Sequence, residues 1–200
     1  MTRYYETLMP LLAVLIAAAA VLLSGCSAKD QAAAQSTGEG SAPWISGTVE
    51  SYPLVEGLHV TGTPVDIDAA SYRLKISGAV GNPLSLSLEQ IMSMEAEREF
   101  LTLVCPGFFT DEGNWTGVPI ADLLVLAEFS PEAEQIKFVA ADGRYSATLP
   151  IAEAKGEGML IAYAFEDKTL PEVHGYPLRV VARNQPGNRW VKWLGEIVVQ

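Results

Sequence analysis

The chain has 200 residues, of which 49% are apolar, enough for one domain of ordinary size with a sizeable core. Its formal net charge of −11 argues against nucleic acid and against charge-driven docking on anionic lipid; it would suit a basic redox partner, but solubility alone is the more ordinary reason for an acidic surface. Two cysteines and two histidines are too few for a zinc finger or a disulfide framework.

Residues 1–25 read as an export signal. A short head with Arg3 and Glu6 leads into an apolar run from Leu8 to Gly25, which ends in Leu23-Ser24-Gly25-Cys26. That tetrapeptide resembles the bacterial lipobox, in which a cysteine after small residues is acylated and becomes the new N-terminus. The competing reading is a retained transmembrane helix, since an apolar run of this length could just span. Either one places the folded part on the extracytoplasmic face of the cell membrane, and a lipid on Cys26 holds without a basic patch. Residues 26–43 are small and polar with no apolar period, a flexible tether. The folded domain is expected over 44–200. Lipidation would use the Cys26 sulfur as a thioether and leave Cys105 with no intrachain partner. A lone thiol outside the cytoplasm escapes oxidation only if it is buried or bound.

In chain order, Tyr72 to Ile76 alternates as a strand and stops at Ser77-Gly78. Ser87 and Gln90 form a capping box that opens a helix through Met94. Phe100 to Val104 is a strand with Cys105 at its C-terminal end, followed by the turn residues Pro106-Gly107. Pro119 starts a helix over Ile120 to Ala127. Ile136 to Ala140 and Tyr145 to Leu149 flank Asp142-Gly143, a hairpin signal. A short helix is expected at Ile151 to Ala154. Met159 to Phe165 is apolar on both faces and therefore a central strand. Leu178 to Ala182 and Val191 to Val199 are two further strands. Strands with a few separate short helices give an α+β fold with mixed sheet.

Two features carry chemistry. Cys105 sits where a strand ends beside a loop, a common place for a site, and its thiolate is a soft ligand for metals that favour sulfur. The other is a segment without acids: Val173 to Gly195 holds His174, Arg179, Arg183, Arg189 and Lys192. Within it, Asn184-Gln185-Pro186-Gly187-Asn188 offers amide donors that can cradle a phosphate. The bland alternative is that these cations pair with Glu95, Glu97 or Asp111.

The order of motifs resembles the molybdopterin-binding domain of the sulfite oxidase family. Cys105 precedes Trp115-Thr116-Gly117-Val118-Pro119, then come His174-Gly175-Tyr176-Pro177-Leu178-Arg179 and Gly187-Asn188-Arg189-Trp190-Val191-Lys192-Trp193. The likeness runs from about Tyr72 to Val199. It implies that Cys105 coordinates molybdenum beside the dithiolene of one pterin. It also implies that His174, Arg179 and Lys192, with Arg189 and Asn188 nearby, hold the pterin and its phosphate. The implied activity is two-electron redox with oxygen-atom transfer, on a small-molecule substrate. Electrons must pass to a separate carrier such as a cytochrome or membrane haem protein, because the chain has no haem motif and no cysteine set for an iron–sulfur cluster.

The residues after Cys105 bear on the substrate. Sulfite-oxidising members place basic residues around the metal cysteine, whereas here the segment is Phe108-Phe109-Thr110-Asp111-Glu112, apolar and acidic. A neutral S- or N-oxide fits it better than a dianion. The rival reading is a cofactor-free lipoprotein of the same fold that binds a ligand or a protein. It is sustained by an N-terminal head with no Arg-Arg pair for twin-arginine export of a loaded protein. A thiol enzyme with His174 as base to Cys105 is a third reading, supported only by the presence of both residue types.

Overall fold

The computed structural model describes residues 55–200, all of which fall in one unit, Thr48–Gln200. The expected export signal, the expected lipidation site Cys26, the expected tether and the start of the expected domain lie outside the described residues. Two five-stranded sheets carry the fold of the described residues.

The first sheet joins the two ends of the domain. Strand β1 (Leu74–Gly78) pairs antiparallel with β2 (Leu84–Leu86) on one edge and parallel with the last strand, β10 (Leu194–Val199), on the other. β10 continues antiparallel to β5 (Gln135–Ala140), and β5 to β6 (Ser146–Pro150). Alternation buries Leu74 and Ile76 of β1 and Ile136 and Phe138 of β5. The β5–β6 hairpin turns where expected, with Gly143 at φ +70° and Asp142 Oδ1 accepting from Arg144 N at 3.0 Å.

The second sheet holds β3 (Glu97–Cys105), β4 (Phe109–Pro119) and β7 (Met159–Phe165) in that order; β8 (Lys168–Thr169) and β9 (Arg179–Ala182) share the far edge of β7. β7 is buried along almost its whole length and is flanked on both edges, as its continuous apolar run requires. One apolar cluster draws on both sheets, among them Ile76, Phe138 and Ile197 from the first and Leu101, Trp115 and Leu160 from the second.

Short helices close gaps between strands. α1 (Leu88–Met92) begins with the expected capping box: Gln90 N donates to Ser87 Oγ (3.1 Å) and Ser87 N to Gln90 Oε1 (2.8 Å). α2 (Ile120–Leu126) and α3 (Ile151–Ala154) follow their strands directly, and Pro119 and Pro150 stand as N-caps rather than inside the first turn. Among the described residues no helix is long and apolar enough to cross a membrane.

Three expectations need correction. β4, eleven residues long, is a strand where only a loop and motif residues were read. Its inward positions are Asp111, Gly113, Trp115 and Gly117, so no apolar alternation marks it. The glycines are there because β7 comes close: a Cβ on Gly113 would lie 2.4 Å from Cζ of Phe165, and one on Gly117 2.4 Å from the Ile161 carbonyl oxygen. β2 also went unread, being three residues long. Lastly, the final strand begins at Leu194 and not Val191, since Trp193 takes φ +52° and breaks the extended run. The segment before it is stitched to its own upstream partner by Val180 N to Val191 O and Leu194 N to Leu178 O, both 2.8 Å.

Candidate active site

A cavity of about 360 Å³ opens where the ends of both sheets meet the loops. Its lining brings together Cys105 from the end of β3, Asp111 from β4, His174 and Arg179 around the start of β9, and Asn188 and Lys192 from the approach to β10. Residues far apart in the chain therefore face one space.

Cys105 is half-buried and is a free thiol. It is the last residue of β3 and pairs in register with Phe109, so the hairpin turn holds it at the rim. Phe108 N donates to the Cys105 carbonyl at 3.0 Å, and Gly107, at φ +80°, takes the left-handed position the turn needs.

His174 ends a 3₁₀ turn, Glu172–His174, capped by Gly175 at φ +105°. Its ring is buried, and Nε2 has no hydrogen-bond partner among the described residues. Burial first, then the charges of Lys192 and Arg179, push its pKa down to about 4, against the pull of Asp111. The ring is therefore neutral at physiological pH, and Nε2 is a single donor or acceptor left unpartnered among the described residues.

Arg179 is also buried. Its guanidinium lies 4.9 Å from the Trp115 ring centre and 5.9 Å from that of Trp190, and it donates to the His174 carbonyl at 3.0 Å. Its Nε has no partner among the described residues. Burial lowers its pKa to about 10, so it stays charged. Lys192 Nζ donates to the carbonyls of Thr61 (2.7 Å) and Val173 (2.9 Å). Burial, reinforced by Arg179 and opposed by Asp111, pushes its pKa down to about 7. An incoming anion would reverse that push.

Asp111 is the acid of this lining, and it is only 4% exposed. His59 holds it twice, through backbone N to Oδ2 (2.8 Å) and ring Nδ1 to Oδ1 (2.5 Å). The His59 ring stacks on Phe109 at 4.5 Å, with 61% of its side chain exposed at the mouth.

Four of the five residues expected to bind a cofactor, His174, Arg179, Lys192 and Asn188, line this cavity together with Cys105. Arg189 is not in the lining; its guanidinium donates to the Thr148 carbonyl at 2.8 Å. Arg183 also leaves the cradle, pairing with Glu99 at 2.6 Å. The bland alternative of internal pairing thus describes Arg183, though with a different acid from those expected. The segment after Cys105, read as an apolar and acidic loop, is corrected as well: from Phe109 it is strand β4, with Asp111 inward and Glu112 outward. His59, Tyr145, Trp190 and Trp193 line the cavity and were not singled out. His59 lies 52 residues from the acid it holds, and nothing in its local pattern marks that pairing.

The side chains fit a sulfur-ligated metal on a phosphorylated organic cofactor. Among the described residues no three His, Cys, Asp or Glu side chains converge as a metal site. A metal on Cys105 would therefore take its other ligands from outside the described chain, as a dithiolene supplies. The buried and unpartnered His174 Nε2 and Arg179 Nε are polar groups in want of a partner, as a pterin and its phosphate provide.

A family model described as the oxidoreductase molybdopterin binding domain matches residues 60–200. The NADH nitrate reductase of Volvox carteri is 30% identical over 179 residues, 74% of this chain and 21% of its own. The mitochondrial sulfite oxidase of Macaca fascicularis is 31% identical over 164 residues, 68% and 30% of the two chains. A chain of Azospira oryzae provisionally named a protein-methionine-sulfoxide reductase subunit is 25% identical over 134 residues, 67% and 51%. The chain thus spans between about a fifth and a half of the length of these relatives. The crystal structure of the sulfane dehydrogenase SoxCD from Paracoccus pantotrophus superposes with a TM-score of 0.63 at 23% identity, over 68% of this chain and 40% of that one, a likeness of fold. The chain belongs to the oxidoreductase molybdopterin-binding domain family, of the sulfite oxidase type, whose cofactor is molybdenum on molybdopterin.

Proposed function

We propose that this chain is a lipid-anchored, extracytoplasmic oxidoreductase that removes an oxygen atom from a small neutral S- or N-oxide. The observation that carries the reading is the convergence of the Cys105 thiol with Arg179, Lys192 and the neutral His174 on one cavity. The molybdenum cofactor, when bound, supplies the two-electron oxygen-atom chemistry. The chain's own residues do the rest. Cys105 offers one thiolate ligand. Arg179 and Lys192 would hold the phosphate, and His174 would bond the pterin. Trp115 and Trp190 exclude water from the Arg179 side of the cradle.

The substrate class follows from charge. Arg179 and Lys192 are committed to the cradle, and Asp111 brings a negative charge into the lining. His59 Nδ1 lies 2.5 Å from Asp111 Oδ1 and holds that carboxylate at the mouth. This surrounding repels a dianion such as sulfite and admits a neutral oxide, whose reduction consumes protons. The name carried by the Azospira oryzae relative agrees with an S-oxide. The anchor rests on Leu23-Ser24-Gly25-Cys26.

Protein purified from its native host should hold molybdenum near one per chain, and Cys105→Ser should lose it while remaining folded. With a reduced viologen as donor, dimethyl sulfoxide or trimethylamine N-oxide should be consumed and sulfite should not be oxidised. Exported, folded protein free of molybdenum and pterin would sink the reading and favour the cofactor-free lipoprotein. Labelled fatty acid should attach to the wild type and not to Cys26→Ala.

A further inference from the structure

The outer face of the β3–β4 hairpin has no part in the cavity. Antiparallel partners point the same way, so Phe100, Thr102 and Val104 of β3 share that face with Asn114, Glu112 and Thr110 of β4. Leu101, Leu103, Asp111, Gly113 and Trp115 take the inward positions. On the outward side Phe100 is 58% exposed, Val104 42%, and Phe108 at the hairpin tip 84%. The turn itself needs no phenylalanine at its tip, because Pro106 and Gly107 supply its backbone. Apolar side chains grouped in the open on one hairpin mark a surface that is covered by something else.

Charge says what kind of partner covers it. From Glu95 to Pro119 the chain has five acids and one base. That base, Arg98, is tied to Asp167 at 2.9 Å, Glu99 is tied to Arg183, and Asp111 faces the cavity. Glu112, in register with Thr102 between Phe100 and Val104, is the exposed acid of this face; Glu95 and Glu97 are exposed at the alternate positions nearby, and the two bases that border the face, Arg98 and Arg183, are each held in an ion pair. An apolar centre in a negative field repels anionic lipid and attracts a protein with a basic rim around an apolar contact.

Position says what the partner does. The Phe108 N–H to Cys105 carbonyl bond closes a four-residue turn, whose ends lie within about 7 Å, Cα to Cα. Phe108 thus lies in the turn that begins at Cys105, the residue proposed to hold the metal.

We propose that this hairpin face, centred on Phe108, is the docking surface for a basic one-electron carrier protein. The inference rests on the oxidoreductase reading above. Reducing a sulfoxide takes two electrons and two protons; the sulfur–oxygen bond breaks, the sulfur leaves as a thioether and the oxygen leaves as water. The reduced carrier gives up one electron per encounter, two encounters complete a turnover, and the protons come from solvent.

The test uses the loaded full chain, a basic monohaem cytochrome c as the probe, and a small viologen dye as a donor that needs no docking. Cytochrome binding is measured by calorimetry and electron transfer by stopped flow, at low and high ionic strength. Phe108→Ser should weaken binding by about tenfold or more at every salt concentration, as expected of an aromatic anchor. Glu112→Lys should slow electron transfer by about tenfold at low ionic strength, with the gap closing at high salt. Molybdenum content and dye-linked turnover should match wild type in both variants. Wild type that binds no cytochrome, or variants that bind it as wild type does, would overturn the proposal. So would loss of binding to neutral phosphatidylcholine vesicles when Phe108→Ser is added to the anchor-free Cys26→Ala chain, with cytochrome binding intact, which assigns the face to lipid. Absence of molybdenum and dye-linked turnover in wild type refutes the oxidoreductase reading instead, and calorimetry then still judges the surface.

Discussion

Replacing Lys192 with methionine should remove a specific pH dependence from the stability of the cofactor-free protein. Lys192 has its pKa pushed from 10.5 to about 7 by burial and by Arg179. In the unfolded chain it stays protonated until about pH 10.5. Between pH 7 and 10.5 the unfolded state therefore binds one more proton than the folded state, and stability rises with pH across that window. One proton corresponds to about 1.4 kcal/mol per pH unit. The full gap would give about 5 kcal/mol; Lys192 is partly exposed, and screening reduces this to roughly 2–3 kcal/mol. Methionine keeps the apolar stem and drops the titration. Urea unfolding of cofactor-free wild type and Lys192→Met, from about pH 7 to 10, should show wild type gaining roughly 2–3 kcal/mol relative to the variant. The bonds Nζ makes to Thr61 and Val173 shift the whole difference but not its slope. A difference that stays flat with pH would refute the argument that burial depresses the Lys192 pKa in the cofactor-free protein. The same variant should lose cofactor on purification, because the phosphate then lacks one charge-assisted partner.

His174 titrates in a different window. Its pKa is lowered to about 4, so from about pH 6.5 down to 4 the unfolded chain takes up a proton that the fold refuses, and stability falls by up to about 3 kcal/mol. His174→Gln should flatten this part of the melting-temperature profile. Gly113→Ala puts a Cβ 2.4 Å from Phe165 and should cost about 1–3 kcal/mol in denaturant unfolding, with the loss recovered in part by Phe165→Leu.

What could be read from the chain was whatever has a local signature. The capping box at Ser87 and Gln90, the Asp142-Gly143 turn and the apolar run of β7 each depend on neighbours in sequence, and each is present. The acid-free segment was legible for a related reason, since a stretch with no acid in a strongly acidic protein is itself a pattern; it brings His174, Arg179, Asn188 and Lys192 to the cavity but not Arg183 or Arg189. β4 was not legible, because its inward positions are occupied by glycines and Asp111, chosen for the closeness of Phe165 and for the cavity rather than for apolar alternation. Arg189 and Lys192 look alike on paper. Only the left-handed turn at Trp193 and the stitching of Val191 to Val180 decide that Lys192 enters the cavity while Arg189 reaches Thr148.

A buried carboxylate in a cavity proposed to hold a phosphorylated cofactor looks like a contradiction, and the charge balance resolves it. Arg179 keeps its charge with a pKa of about 10 and is 2% exposed, so before the cofactor arrives it needs an opposite charge nearby. Asp111 is the group that opposes the pKa depression of Arg179, Lys192 and His174 alike. Two bonds from His59 fix it in place, so the fold carries its own partial counter-ion. Asp111→Asn keeps the shape and removes the charge, which should cost the cofactor-free protein about 3 kcal/mol or more. An added anion should then do more for the variant than for wild type. Inorganic pyrophosphate should raise the melting temperature of cofactor-free Asp111→Asn further than that of wild type, since ligand binding stabilises by RT ln(1 + [L]/Kd) and the variant's cradle binds anions more tightly. Equal shifts in the two proteins would mean that Asp111 does not balance the cradle and that its burial serves only to pin His59.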